Sequence, residues 1–193
     1  MDAAPMEGEA ATPAPIVAAV LVAVAAVMAW FVTGVAAAVP VAAVGGLTIA
    51  AAVCDARTGR IPNALVLGGL AVVAFTWGIV AAVDDRTMGG LAHDLAVGCL
   101  LGGGPLLFAV WLVAPRLIGG GDWKLLAVCG LALGYLAPLA AVAMVVVGFG
   151  AAIVVATIAR RRHVVLGPML AAGYLVAVLA AVVDPATFGS AYG

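Results

Sequence analysis

Serine occurs once in this chain, as Ser190 near the C-terminus, and histidine only twice, as His93 and His163. Glutamate is confined to Glu7 and Glu9. A hydrolase built on Gly-x-Ser-x-Gly is therefore excluded. His-Glu-x-x-His is absent, which removes the usual zinc-dependent protease. The three cysteines, Cys54, Cys99 and Cys129, stand singly in apolar stretches with no Cys-x-x-Cys, so neither a zinc site nor a disulfide framework is expected. They read as small buried hydrophobes. A cysteine nucleophile would need a nearby base, and the two histidines fall on opposite sides of the topology derived below. Aspartate is the group left for chemistry, with no metal or cofactor implied.

Charge is also scarce. Asp, Glu, Lys and Arg make up 9% of the 193 residues, and the net charge of -1 points to no nucleic-acid partner. Hydrophobic residues reach 67%, with a mean hydropathy of +1.31. Soluble domains are roughly half apolar and about a quarter charged. The composition therefore predicts an all-α polytopic transmembrane helix bundle, with the lipid bilayer as its solvent.

A membrane crossing takes about 20 residues. The polar breaks divide the chain into spans near Pro15–Val35, Val39–Cys54, Ala64–Val83, Leu91–Ala114, Trp123–Tyr135, Pro138–Ala159 and Val165–Val183. Seven spans are expected, with six or eight compatible. The break at "TGVAAAVP" reads either as a turn or as part of one long bent helix. Residues 1–14, Pro- and Ala-rich and without a basic start, read as a disordered tail rather than a signal peptide. Residues 15–38 form an additional N-terminal span, 39–184 the main transmembrane domain, and 185–193 a C-terminal tail.

Basic residues set the orientation. Arg57 and Arg60, Arg116 and Lys124, and Arg160 to Arg162 occupy three breaks that alternate to the same side, and only Arg86 falls opposite. That is a positive-inside pattern, which places those breaks at the cytoplasmic face.

Six aspartates lie beyond the tail. Asp84 and Asp85 read as a solvated outer loop, Asp94 as a helix cap or headgroup residue, and Asp184 as an interfacial helix end. Asp55 and Asp122 each abut an apolar span on the basic side. Taken singly, Asp55 suits an ion pair with Arg57 or Arg60, and Asp122 suits the N-cap of the following helix. Pro62 suits the start of a helix, and Asn63, the only Asn, either caps it or bonds across the loop. Ionisable groups at the bilayer are costly and mark function by default. Two close carboxylates titrate as a pair, one keeping a proton while the other stays charged. Spacing alone does not show that they meet.

The motifs supply that link. "GGGD" at Gly119–Asp122 fits the Gly-x-Gly-Asp signature of intramembrane aspartic proteases, and "GGGDWKLLAVCGLALG" is similar to the corresponding segment of type IV prepilin peptidases. "DARTGRIPN" at Asp55–Asn63 resembles that family's first motif, and "VVLGPMLAAG" resembles its Gly-Pro segment at Gly167 and Pro168. The resemblance implies that Asp55 and Asp122 are the catalytic pair. Gly119, Gly121, Pro62, Asn63, Gly167 and Pro168 then belong to substrate-binding or structural motifs. Lys124 belongs there too, either binding an acidic group or snorkelling to the interface. The implied substrate is a prepilin-like protein whose short basic leader precedes a hydrophobic helix, cut at the cytoplasmic face of the inner membrane. The paired-cysteine loop tied to N-methylation in longer relatives is missing, and the first loop is only about nine residues. This resembles the compact, peptidase-only form that serves tight-adherence (Flp-type) pili. The competing class is a non-catalytic membrane subunit or small transporter that uses the same aspartates for ion binding or packing. Transporters often carry paired repeats, and no internal repeat stands out here.

Overall fold

The computed structural model describes residues 35–83, 87–113, 119–160, 165–184 and 187. The expected N-terminal tail and nearly all of the first span lie outside these residues. So do Asp84, Asp85, Arg86, Arg116, Arg161, Arg162, His163, Ser190 and the C-terminal tail beyond Thr187. The described residues form seven helices and no strand. They are α1 (Val35–Thr58), α2 (Asn63–Val83), α3 (Met88–Leu101), α4 (Gly104–Val113), α5 (Gly120–Leu136), α6 (Pro138–Ile158) and α7 (Leu166–Val183). The all-helical polytopic bundle is as expected. Three helices are long and apolar enough to cross a membrane: Pro40–Thr58 within α1, α6 and α7. Residues 63–79 of α2 are apolar but shorter, and α5 has 17 residues.

Two expectations need correction. The fourth span is not one helix. It breaks at Gly102 and Gly103, and the two halves meet at 44°, so they count as a fourth crossing only as a bent pair. Gly103 has φ +79, a left-handed backbone that a residue with a side chain rarely adopts. Asp94 does not cap this segment. α3 starts earlier, with Thr87 at the N-cap accepting a bond from the Gly90 N–H, and Asp94 lies inside the helix beside His93. The "VAAAVP" part of the ambiguous first break is helical, as the start of α1.

Glycine governs how the helices pack. Gly98 on α3 and Gly102 at its C-cap face Gly130 and Gly134 on α5, so both contact partners carry a Gly-x-x-x-Gly spacing. A Cβ on Gly130 would sit 2.6 Å from the Gly98 carbonyl oxygen, and a Cβ on Gly98 would overlap the Gly130 carbonyl. Backbones this close gain dispersion that bulkier residues would forbid, which is how helices associate in lipid. α6 and α7 meet in the same way, since a Cβ on Gly173 would sit 2.5 Å from the Met144 carbonyl. α1 packs against α7 through Tyr174, whose hydroxyl donates to the Val41 carbonyl at 2.9 Å. Leu126, Leu133, Ala140 and Met144 fill the centre between them.

This arrangement brings one set of helix ends together. The C-terminal ends of α1, α4 and α6 and the N-terminal ends of α2, α5 and α7 share one end of the bundle. That is the set of breaks in which the sequence concentrates its basic residues.

Gly98→Ala is expected to cost about 1–3 kcal/mol through forced separation of α3 and α5. Gly46→Ala, whose Cβ meets nothing within 4 Å, is expected to be neutral or mildly stabilising. Thermal unfolding of the two variants in detergent checks the contrast.

Candidate active site

The end of α1 places the first carboxylate. Thr58 closes the helix, with its hydroxyl donating to the Cys54 carbonyl at 2.8 Å. Gly59 follows with φ +65 and donates its N–H to the Asp55 carbonyl, a left-handed helix ending that glycine suits. Asp55 is therefore helical rather than the first residue of a nine-residue loop. The loop is only residues 59–62. Arg57 stands in the last turn, where a cation suits the negative end of the helix dipole. Neither Arg57 nor Arg60 forms the expected ion pair with Asp55 among the described residues. The Asp55 side chain is buried, and its Oδ2 accepts the backbone N–H of Gly167 at 2.9 Å.

That contact explains the glycine. A Cβ on Gly167 would lie 2.8 Å from Asp55 Oδ2 and 3.2 Å from the Ala52 Cα. α7 has Val165 at its N-cap, with no side-chain cap of its own. Asp55 supplies the acceptor from 112 residues away, at the positive end of the helix. Pro168, next in line, has no N–H and leaves one fewer donor to satisfy.

The second carboxylate stands on the first turn of α5. Asp122 is not the N-cap expected from the sequence. Gly119 holds that position, and Asp122 is three residues further on. Its Oδ2 reaches back to accept the Gly119 N–H at 3.1 Å, the reciprocal half of a capping box. A side chain at Gly119 would crowd Asp122 Oδ2, at 2.8 Å. At Gly121 it would press on the Ile61 Cβ, at 2.7 Å. At Gly120 the nearest atom is Trp111 Nε1 at 3.5 Å, an ordinary contact. The two fixed glycines of a Gly-x-Gly-Asp pattern are thus the two with no room for a methyl group.

Asp55 and Asp122 line one pocket of about 210 Å³, together with Gly59, Arg60, Ile61 and Gly119 to Gly121. Burial raises the Asp122 carboxyl to about 6, the charge of Asp55 adds to the rise, and the Gly119 N–H opposes it. A carboxyl held there keeps its proton well into the range where ordinary carboxylates have lost theirs. Among the described residues, no three of His, Cys, Asp and Glu cluster as metal ligands.

The remaining motif residues surround this pocket. Asn63 does not cap α2. Its Oδ1 accepts from Lys124 Nζ at 3.1 Å, joining the start of α2 to the first turns of α5. Lys124 also lies 5.8 Å from the centre of the Trp123 ring, which meets Phe108 and Trp111 at tilted angles. Pro62 sits in the connecting loop, its carbonyl accepting the Leu65 N–H. The sequence pointed to neither Gly59 nor Ile61 as part of the site, and to Arg60 only as a basic loop residue and ion-pair partner for Asp55. The signal available was their place inside "DARTGRIPN", between the end of one helix and the proline that opens the next.

Asp122 is expected to titrate near 6. Asp55→Asn removes the negative neighbour and should lower that midpoint, though not to the ordinary value, because burial is the larger cause. An infrared titration of the protonated carboxyl band on the purified protein checks both the position and the sign. A midpoint that Asp55→Asn leaves unmoved would show that the two groups do not interact.

The chain matches the model of the type IV leader peptidase family over residues 42–159, more than half its length. The matched stretch holds both aspartates and the Lys124–Asn63 contact, whereas Gly167 and Pro168 lie beyond it. No curated protein and no solved structure gives a significant match. Motifs, helical architecture and family match agree: this chain belongs to the type IV leader peptidase family, a family of peptidases.

Proposed function

We propose that this protein is a membrane-embedded aspartic endopeptidase that removes the short basic leader of prepilin-like proteins at the cytoplasmic face of the inner membrane. The observation that carries this proposal is the pocket lined by both Asp55 and Asp122, in which Asp122 feels the charge of Asp55. The family match supports peptide hydrolysis, and the basic residues at that end of the bundle support its cytoplasmic orientation.

The chemistry follows from unequal surroundings of two carboxylates. Asp122, raised to about 6, carries the shared proton, and Asp55 is the anionic partner. Asp55 takes a proton from water, and the water oxygen bonds to the scissile carbonyl carbon. Asp122 gives its proton to the carbonyl oxygen, producing a neutral tetrahedral diol. On collapse, Asp55 passes its proton to the departing nitrogen as the C–N bond breaks. Asp122 recovers a proton from the diol hydroxyl, and the pair returns to its starting state. Acid and base both come from the chain, so the scheme needs no cofactor. The glycines at 119 to 121 leave backbone, with no side chains, along one wall of the pocket, where an extended substrate can approach closely.

Asp55→Asn and Asp122→Asn are each expected to lower cleavage of a co-expressed substrate by at least about 10²-fold, the range for a lost acid or base. The substrate needs a basic leader and an apolar helix, and mass spectrometry locates the cut. Both variants should remain in the membrane fraction. Normal processing by either one would remove the catalytic pair. EDTA is expected to leave cleavage unchanged, and loss of activity that zinc restores would point to a metal mechanism.

A further inference from the structure

Lys124 is the only lysine of the chain and stands two residues beyond Asp122. It nevertheless forms no ion pair with either aspartate. Its ammonium donates to a neutral amide, Asn63 Oδ1, at 3.1 Å. The choice of partner is informative. An ammonium on Asp122 would favour the charged form of the group that has to hold a proton. Bonded to Asn63, the same ammonium ties the start of α2 to α5, beside the contact of Ile61 with Gly121.

The short segment 59–62 supplies three of the residues lining the pocket, Gly59, Arg60 and Ile61. One end is anchored on α1, where the Gly59 N–H donates to the Asp55 carbonyl and the Thr58 hydroxyl, bonded to the Cys54 carbonyl, also lies 3.1 Å from that of Arg60. The other end continues into Asn63, which Lys124 holds. Between the anchors, Ile61 rests on Gly121 at a distance that leaves no space for a methyl group. The wall of the pocket is thus fixed at one end to the helix bearing Asp55 and at the other to the helix bearing Asp122.

We infer that Lys124 is a positioning residue, and that its bond to Asn63 latches the 59–62 segment against α5, setting the separation of the two carboxylates. This inference rests on the proposed peptidase activity for its kinetic consequence, but the latch itself is readable without catalysis. Displacements of about 1 Å in a catalytic arrangement can cost up to about 10²-fold in rate. Loss of the latch is therefore expected to lower cleavage while the fold persists.

The test uses the full chain in detergent with two readouts. In an Ile61→Cys background, maleimide labelling at position 61 is followed by mass spectrometry, which separates it from the three native cysteines. Lys124→Met and Asn63→Ala should each speed that labelling roughly tenfold, as expected for a segment released to local opening. Asn63→Asp, which keeps an acceptor for the ammonium, should retain the slow rate. With Ile61 in place, Lys124→Met and Asn63→Ala should each lower kcat/KM for leader cleavage roughly tenfold, and the double variant no further. Unchanged labelling in Lys124→Met, or equal labelling in Asn63→Ala and Asn63→Asp, overturns the latch. Kinetic losses that multiply in the double variant also overturn it, because Lys124 then acts on something other than Asn63. If the unmodified protein fails to cleave, the proposed activity fails, and the labelling arm still decides the latch.

Discussion

Asp55 accepts the backbone N–H of Gly167 in a buried contact, and the end of the bundle that holds the candidate site is arranged around that bond. A carboxylate near the bilayer is costly unless something compensates it. α7 offers unsatisfied N–H groups and the positive end of its dipole, and Asp55 gives α7 the cap its own sequence lacks. One contact thereby satisfies both groups. It requires that residue 167 have no side chain, because a Cβ would occupy the space of the carboxylate. It also requires α1 and α7 to lie side by side, which Tyr174 on Val41 secures further into the bundle.

With Asp55 fixed in this way, Asp122 has to be delivered from α5. The helix does this at its first turn, where the carboxylate closes back on Gly119 rather than projecting freely. The two carboxylates therefore differ in surroundings. Asp55 is buried against a helix terminus of α7, and Asp122 sits half-buried under the 59–62 segment. That inequality is what lets one group keep a proton in the presence of the other. Glycine contributes twice over. At 119 and 121 it makes room for Asp122 and Ile61, and on α3, α5, α6 and α7 it lets the supporting backbones close up.

Much of the site was legible in the sequence because so few polar residues exist. Removing serine, histidine and glutamate left aspartate, and the alternation of basic breaks put Asp55 and Asp122 at the same end. What stayed illegible depended on contacts distant in sequence. "DART" is polar and reads as loop, yet it completes α1, since Gly59 rather than Asp55 is the residue that leaves the helix. The run of three glycines hides the start of α5, so the sequence suggests Asp122 as the cap where Gly119 occupies that place. The long apolar stretch after Leu91 carried no periodic signal of its bend, which rests on the left-handed backbone of Gly103. The Gly167–Asp55 and Lys124–Asn63 bonds join residues 112 and 61 apart, and no local pattern announces such pairings.

The proposed catalysis requires that Asp55 and Asp122 share one proton, held on Asp122 in the free protein. The pH dependence of kcat/KM for leader cleavage by the purified protein tests it most directly, because that profile reports the free enzyme's essential acid and base. The substrate should carry no histidine, so that only the enzyme titrates in this range. kcat/KM should fall above about pH 6, tenfold per pH unit, as Asp122 loses the proton it must donate. A profile that stays level or rises from pH 6 to 8 would contradict it.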